Sequence, residues 1–103
     1  MSHYQTDNPA PEEVEALPGL TLLEFGVDGC PHCQGAQPLL AQFLSACPQL
    51  RHLAVEDGKG RRLGRLYGVK LWPSFILLRD GVEIGRAVRP QGQAELEALL
   101  AGA

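Results

Sequence analysis

The chain has 103 residues, of which 45% are hydrophobic and 20% are charged, and its formal net charge at pH 7 is −3. These values are ordinary for one small soluble domain, and the slightly acidic balance gives no support to nucleic-acid binding. No apolar run approaches the roughly 20 residues that a membrane-spanning helix needs. We therefore expect neither nucleic acid nor a membrane among the partners of this chain.

The N-terminal part of the sequence is polar. Residues 1–10 predict a loose segment that ends at the breaker Asn8-Pro9-Ala10-Pro11, and Pro11 to Leu17 predicts a short helix. Residues 11–103 are expected to form a single domain. No apolar stretch typical of a signal peptide is present in Met1 to Pro18, so we expect a cytoplasmic protein, in which a cysteine pair is more often catalytic than structural.

The next elements are a strand and a helix. The apolar run Thr21 to Val27 predicts a buried strand, Asp28-Gly29 predicts a turn, and apolar residues at helical spacing predict a helix over Gln34 to Cys47. Glu24 has apolar neighbours on both sides, so the strand has no polar face and its carboxyl group is expected to be buried. Burial raises a carboxyl pKa. The alternative for Glu24 is an exposed or purely structural residue.

Cys30 and Cys33 are separated by two residues at the predicted start of this helix. The unpaired N–H groups of the first turn and the helix dipole stabilise a thiolate there. Pro31 suits the first turn because its missing N–H would have had no partner. A protonated His32 would add positive charge beside Cys30, although His32 could instead be a solvated helix residue. The pattern predicts a reversible Cys30–Cys33 disulfide, with Cys30 as the reactive thiol and Cys33 as the resolving thiol.

The rest of the chain predicts a strand over Leu50 to Glu56, a short helix over Arg61 to Tyr67, a hairpin and a closing helix over Gln93 to Leu100. The hairpin strands are Phe75 to Leu78 and Val82 to Val88. Because a proline breaks a strand, the residues around Pro73 are expected to form a loop that enters the hairpin. This order predicts an α/β fold in which a central mixed β-sheet is flanked by helices.

With these elements the chain resembles the thioredoxin family. Leu22 to Leu40 is similar to the family's strand and proline-bearing helix, and Tyr67 to Ser74 is similar to the segment that leads into its cis-proline. The resemblance implies a thioredoxin fold with an abbreviated N-terminal strand and helix. The sequence departs from the family pattern at Gly29, where a tryptophan is usual, and at Arg89, where a glycine is frequent. The residues Pro31-His32 between the cysteines resemble those of the periplasmic disulfide oxidants.

The resemblance implies a thiol–disulfide oxidoreductase that acts on disulfides of proteins or small molecules through a mixed disulfide. Glu24 would then accept the proton of Cys33 through a water molecule, with His52 or Arg51 beside it. Pro73 would be cis, and the backbone of Trp72 would be exposed to pair with a substrate segment, next to Gly29 and Pro31. The expected partners are protein substrates with disulfides, and thioredoxin reductase and glutathione are the candidate electron donors.

The cysteine pair and the fold also have alternative interpretations. A zinc site usually needs four ligands, and only His32, Cys47 and the distant His3 and His52 could complete a set with the cysteine pair, so we expect no metal and no cofactor. Cys47 is predicted to be a small buried apolar residue rather than a third redox thiol. The alternative function is a non-enzymatic redox sensor or thioredoxin-like partner-binding domain. A glutaredoxin is disfavoured, because no Gly-Gly motif follows the Trp-Pro-Ser segment.

Overall fold

Helices and strands follow one another in the order that the sequence predicts. The computed structural model describes residues 3–101, and its elements are α1 (Pro11–Glu15), β1 (Leu20–Gly26), α2 (Pro31–Ala46), β2 (Arg51–Glu56), α3 (Arg62–Leu66), β3 (Ser74–Arg79), β4 (Val82–Val88) and α4 (Gln93–Ala101). The predicted boundaries agree with these within about two residues at most ends, as expected for patterns as regular as the β1 apolar run. Among the described residues, no helix is both long and apolar enough to cross a bilayer.

The strands form one mixed sheet in the order β2-β1-β3-β4. β1 pairs in parallel with β2 and antiparallel with β3, and β3 pairs antiparallel with β4. Side chains alternate between the two faces of a strand. Accordingly Leu22 belongs to one buried cluster with Phe43 and Leu96 from the helices, while Leu23 and Phe25 belong to another with Leu63. β1 is therefore covered on both faces, as its unbroken apolar run predicts, and the α/β fold with a mixed sheet is confirmed.

The structure shows the turn between β3 and β4 and the loop before β3 where the sequence predicts them. Asp80 and Gly81, between β3 and β4, have φ values of 49° and 82°, the left-handed conformation that two-residue hairpin turns require. The Trp72–Pro73 peptide bond is cis, as the resemblance implied. It precedes β3 directly and lies outside the regular part of the strand, which is where the sequence predicted a loop.

The N-terminal segment differs from the prediction. Gln5 continues the sheet beside β2, because its N–H donates to the carbonyl of Ala54 at 2.9 Å and its carbonyl accepts from Glu56 N–H at 2.9 Å. Tyr4 is only 2% exposed. The prediction of a loose segment over residues 1–10 is therefore wrong for Tyr4 and Gln5, since a single aromatic residue among polar neighbours has no periodicity to reveal its burial. Met1 and Ser2 lie outside the described residues.

Candidate active site

The cysteine pair lies where β1 ends and α2 begins. Cys30 is the N-cap residue of α2, with φ −83° and ψ 118°, and its sulfur accepts a hydrogen bond from the backbone N–H of Cys33 at 3.3 Å. Pro31 occupies the first helical position, as predicted. Cys30 is half-buried, whereas Cys33 is 1% exposed. The two thiols therefore meet very different surroundings, although only two residues separate them.

The surroundings of Cys30 favour its thiolate. Burial opposes ionisation, but hydrogen bonds from the Cys33 thiol and from the backbone N–H groups of Cys33 and His32, together with the charge of Arg89, hold the pKa of Cys30 below its ordinary value. His32 contributes to this shift through its backbone N–H, and its side chain is exposed. The predicted helix-terminus effect on Cys30 is thus present, and the cationic side chain that adds to it is that of Arg89.

The surroundings of Cys33 favour its thiol. Burial is the largest cause and the hydrogen bond with Cys30 is the next, and together they raise the pKa of Cys33 to about 11. The hydroxyl of Tyr4 acts in the opposite direction, because it can donate a hydrogen bond to a Cys33 thiolate. Of the two thiols, that of Cys30 therefore ionises more readily, and the thiolate is the reactive form of a cysteine.

Glu24 lies on β1 near Cys33, and its side chain is fully buried. Its Oε1 is 2.8 Å from Nε2 of His52 and 2.9 Å from Nε2 of His3. Its Oε2 accepts a short hydrogen bond from the hydroxyl of Tyr4 and a second one of 3.2 Å from Nε2 of Gln37. The predicted burial of Glu24 and the predicted approach of His52 are thus observed.

The predicted direction of the Glu24 pKa is wrong. Burial on its own would raise it, but the hydrogen bonds of His52, Tyr4 and His3 together outweigh burial and lower the pKa of Glu24 below its ordinary value. Each of these donors favours the charged form of the carboxyl group. Burial was visible in the sequence, whereas the donors come from three separate parts of the chain. Arg51, the other candidate neighbour, instead donates from Nη1 to Thr21 Oγ1 and the Pro18 carbonyl.

Tyr4 occupies the space between Glu24 and Cys33. Its hydroxyl donates to Glu24, and its side chain packs in the same buried cluster as Cys33. A methyl group placed on Gly26 would lie 2.5 Å from the hydroxyl oxygen of Tyr4 and 2.7 Å from the sulfur of Cys33. Only glycine therefore leaves room for both groups above the end of β1. Nothing in the sequence pattern around Tyr4 signals this position.

His3, Glu24 and His52 also have the donor atoms that a divalent metal ion would use. One ligand atom from each residue lies within 4.8 Å of the others. Both imidazole Nε2 atoms, however, are at hydrogen-bonding distance from the same carboxylate oxygen. Each carboxylate oxygen is thereby satisfied by donors of the protein itself, so the group is explained as the hydrogen-bonding shell of a buried carboxylate.

The predicted substrate-binding residues differ in exposure. Trp72 is half-buried, packs against the cluster that contains Cys33, and donates from Nε1 to Asp57 Oδ2 at 2.8 Å. Pro73 is buried, whereas Gly29 and Pro31 are exposed. The residues next to Cys30 are therefore one indole, held by its hydrogen bond to Asp57, and two small exposed residues.

A cleft of about 490 Å³ opens beside the cysteine pair, between α2 and the segment that follows β4. Pro31, His32 and Pro38 line it from the helix, and Arg89 and Gln91 line it from the opposite side. None of the described residues that line this cleft is acidic.

Cys47 caps the far end of α2 and packs against the core, but it is only half-buried, less than predicted.

The chain is similar to several known proteins. The thioredoxin family model matches residues 3–102. Thioredoxin from Chlamydia trachomatis is 31% identical over 70 residues, which are 68% of this chain and 69% of that protein. The reduced form of thioredoxin 2 from Pseudomonas aeruginosa is 52% identical, with a TM-score of 0.84 over 97% of this chain and 96% of that one. Mitochondrial thioredoxin 3 from Saccharomyces cerevisiae, 21% identical with a TM-score of 0.76 over 88% of this chain and 85% of that one, shares the fold.

Proposed function

The chain belongs to the thioredoxin family of thiol–disulfide oxidoreductases, and from this we propose that its Cys30–Cys33 pair reduces disulfides of proteins or small molecules through a mixed disulfide. The observation that carries the proposal is the asymmetry of the pair. Cys30 has a lowered pKa at the accessible helix terminus, and Cys33 has a raised pKa in the interior. An exchange reaction needs one thiolate for attack and one protected thiol for resolution.

In the first step the Cys30 thiolate attacks one sulfur of the substrate disulfide. A bond forms between Cys30 and that sulfur, the substrate S–S bond breaks, and its electron pair leaves with the second substrate sulfur as a thiolate. In the second step Cys33 loses its proton and attacks Cys30. The Cys30–Cys33 disulfide forms, and the first substrate sulfur leaves as a thiolate with the electron pair of the mixed disulfide.

Glu24 accepts the proton that Cys33 releases in the second step. Its carboxylate is ionised at neutral pH because the hydrogen bonds of His52, Tyr4 and His3 lower its pKa. Its hydrogen bonds to Tyr4 and to Gln37, whose amide also donates to the Cys33 carbonyl, place it close to Cys33 and support this role. The proton moves to Glu24 while Cys33 attacks Cys30. Because this carboxylate is only weakly basic, it then releases the proton to solvent.

The substrate lies over Cys30, next to Gly29, Pro31, Trp72 and Pro73. The exposure of Gly29 and Pro31 leaves the approach to the Cys30 sulfur open, and the indole of Trp72, fixed by Asp57, supplies an apolar wall. His32 tunes Cys30 through its backbone N–H. The partners are proteins that carry disulfides, with a thioredoxin reductase or glutathione as the electron donor, and the setting is cytoplasmic redox homeostasis and electron transport.

Turnover of insulin disulfides with dithiothreitol as the reductant tests the proposal. The wild type is expected to accelerate the reduction, Cys30→Ala and Cys33→Ser are expected to abolish catalysis, and Cys47→Ala is the matched control that retains it. If the wild type gives no acceleration, and if a bound partner is recovered equally well with the wild type and with Cys33→Ser, the chain is a thioredoxin-like binding domain and the proposal is wrong.

A further inference from the structure

Tyr4 lies between the Cys33 thiol and the Glu24 carboxylate, the two groups between which a proton must pass in the second step. Its hydroxyl donates a hydrogen bond to Oε2 of Glu24, and the hydroxyl oxygen and the Cys33 sulfur lie close to one point, 2.5 Å and 2.7 Å from where a methyl group on Gly26 would sit. The side chain is 2% exposed, and the space around its hydroxyl would not accept a methyl group on Gly26. The hydroxyl therefore occupies the position between the carboxylate and the thiol that a bridging water molecule was predicted to fill.

We propose that Tyr4 is a catalytic residue that relays the proton of Cys33 to Glu24 while Cys33 resolves the mixed disulfide. This inference rests on the proposed function, since it assigns a role within its second step. A hydroxyl group can accept a proton and donate its own at the same time. Held between a thiol and a carboxylate, it can do both without any movement of the ring.

Two protons move in this step, and one S–S bond replaces another. The Cys33 proton moves to the Tyr4 oxygen, and the original Tyr4 hydroxyl proton moves to Oε2 of Glu24. The sulfur of Cys33 forms a bond with the sulfur of Cys30, and the electron pair of the broken mixed disulfide leaves on the substrate sulfur. Tyr4 ends the step as a neutral phenol, the carboxyl group carries the proton, and the product thiolate carries the negative charge.

The environment keeps Tyr4 neutral before and after the step. Burial is the largest cause and the hydrogen bond to Glu24 the next, and both raise the pKa of Tyr4 far above its ordinary value. A phenolate is therefore strongly disfavoured, so Tyr4 has to accept the Cys33 proton as its own proton moves to Glu24. The ionisable groups around this path are Glu24 on β1, His52 on β2, His3, the Asp28 side chain, which bonds to the Tyr4 backbone, and Cys30.

The path has an exit to solvent. The side chain of Glu24 is fully buried, whereas the side chains of His52 and His3 are 20% and 35% exposed. Both imidazoles contact Oε1, the carboxylate oxygen on the other side from Tyr4. The proton thus enters the carboxyl group from the Cys33 side and can leave it on the histidine side.

Stopped-flow reaction with a dithiobis(nitrobenzoate) probe separates the two steps. In a Cys47→Ala background, attack by Cys30 releases the first thionitrobenzoate, and attack by Cys33 releases the second. Tyr4→Phe is expected to leave the first release unchanged and to slow the second about 100-fold at pH 7, the lower end of the usual range for general acid–base catalysis. The defect is expected to shrink as pH rises and Cys33 ionises without help.

The controls distinguish a relay from a structural role. Tyr67→Phe, which removes a hydroxyl on the opposite face of the sheet, is expected to leave both releases unchanged. Tyr4→Phe combined with Glu24→Gln is expected to slow the second release no more than the slower single variant, because both act on one path. Multiplicative effects, or an unchanged second release in Tyr4→Phe, would overturn the relay.

A measurement on the unsubstituted tyrosine covers the case in which Tyr4→Phe does not fold. The second release is followed in mixtures of H₂O and D₂O. A relay moves two protons together, so the rate is expected to depend on the deuterium fraction along a curve. A straight line would mean a single proton transfer and would overturn the proposal. Absence of any first release would instead contradict the proposed function itself, so the two failures can be told apart.

Discussion

Nε of Arg89 donates a hydrogen bond of 2.7 Å to the backbone carbonyl of Trp72. This bond ties the end of β4 to the residue before Pro73, and the backbone N–H of Arg89 adds a second tie of 3.0 Å to the Pro73 carbonyl. Arg89 has φ 49°, a conformation that costs free energy for any residue other than glycine. A charged side chain is thus held at a strained position close to Cys30.

The first prediction concerns this charge. Because Arg89 helps to lower the pKa of Cys30, Arg89→Gly is expected to raise that pKa, so that alkylation by iodoacetamide begins at a higher pH than in the wild type. Arg89→Lys is expected to retain part of the effect. The control is Arg86→Ala, because Arg86 is paired with Glu83 at 2.7 Å. Equal pH profiles for the wild type and Arg89→Gly would show that Arg89 has no such role.

The second prediction concerns His32 and the redox potential. A stabilised Cys30 thiolate stabilises the dithiol, so we expect a potential above about −270 mV, the usual value for thioredoxin. His32→Pro removes the backbone N–H and the imidazole together, whereas His32→Ala removes the imidazole alone. The structure assigns the effect to the N–H, so His32→Pro is expected to lower the potential, by roughly 30 mV for each unit of the rise in the Cys30 pKa.

Equilibration with glutathione measures these potentials. His32→Ala is expected to stay close to the wild type. A large drop in His32→Ala, equal to that in His32→Pro, would show that the imidazole charge, and not the backbone N–H, sets the potential. A wild-type potential at or below about −270 mV would contradict the expectation of a more oxidising protein.

The third prediction concerns Gly26. A methyl group there would lie 2.5 Å from the Tyr4 hydroxyl and 2.7 Å from the Cys33 sulfur, so Gly26→Ala is expected to lower the free energy of unfolding by about 1–3 kcal/mol. Gly35→Ala is the matched control, because nothing lies within 4 Å of its added methyl group. It is expected to stabilise α2 by up to about 1 kcal/mol. Chemical denaturation checks both values, and a neutral Gly26→Ala would contradict the packing described.

These positions show what the sequence could and could not predict. The Cys30–Cys33 pair, the burial of Glu24 and the order of helices and strands along the chain follow from local patterns, because spacing and apolar runs determine them. The role of Tyr4 depends on a contact between the N-terminal segment and β1, and that of Arg89 on a contact between the β4–α4 loop and the segment before β3. Neither contact leaves a periodic signal. The lowered pKa of Glu24 was missed for the same reason, since its donors converge only after folding.

The fourth prediction concerns acid stability. The folded-state pKa of Glu24 is below its ordinary value, so its ionisation stabilises the fold above the unfolded-state pKa of about 4.3 and that contribution is lost as pH falls through the lower folded-state pKa. The difference in the free energy of unfolding between the wild type and Glu24→Gln is expected to be constant above about pH 5 and to shift against the wild type below it. A difference that does not change down to pH 3 would contradict the assigned direction.

The most direct test of the account is the mass of the trapped intermediate. Reduced Cys33→Ser is mixed with an oxidised peptide disulfide, and the intact protein and its fragments are weighed. The account predicts one peptide joined to Cys30, no stable adduct on the wild type because Cys33 resolves it, and no adduct at the pair in Cys30→Ser. An adduct carried by Cys33 when Cys30 is present, or equal adduct formation in Cys30→Ser, would contradict the central claim that Cys30 attacks and Cys33 resolves.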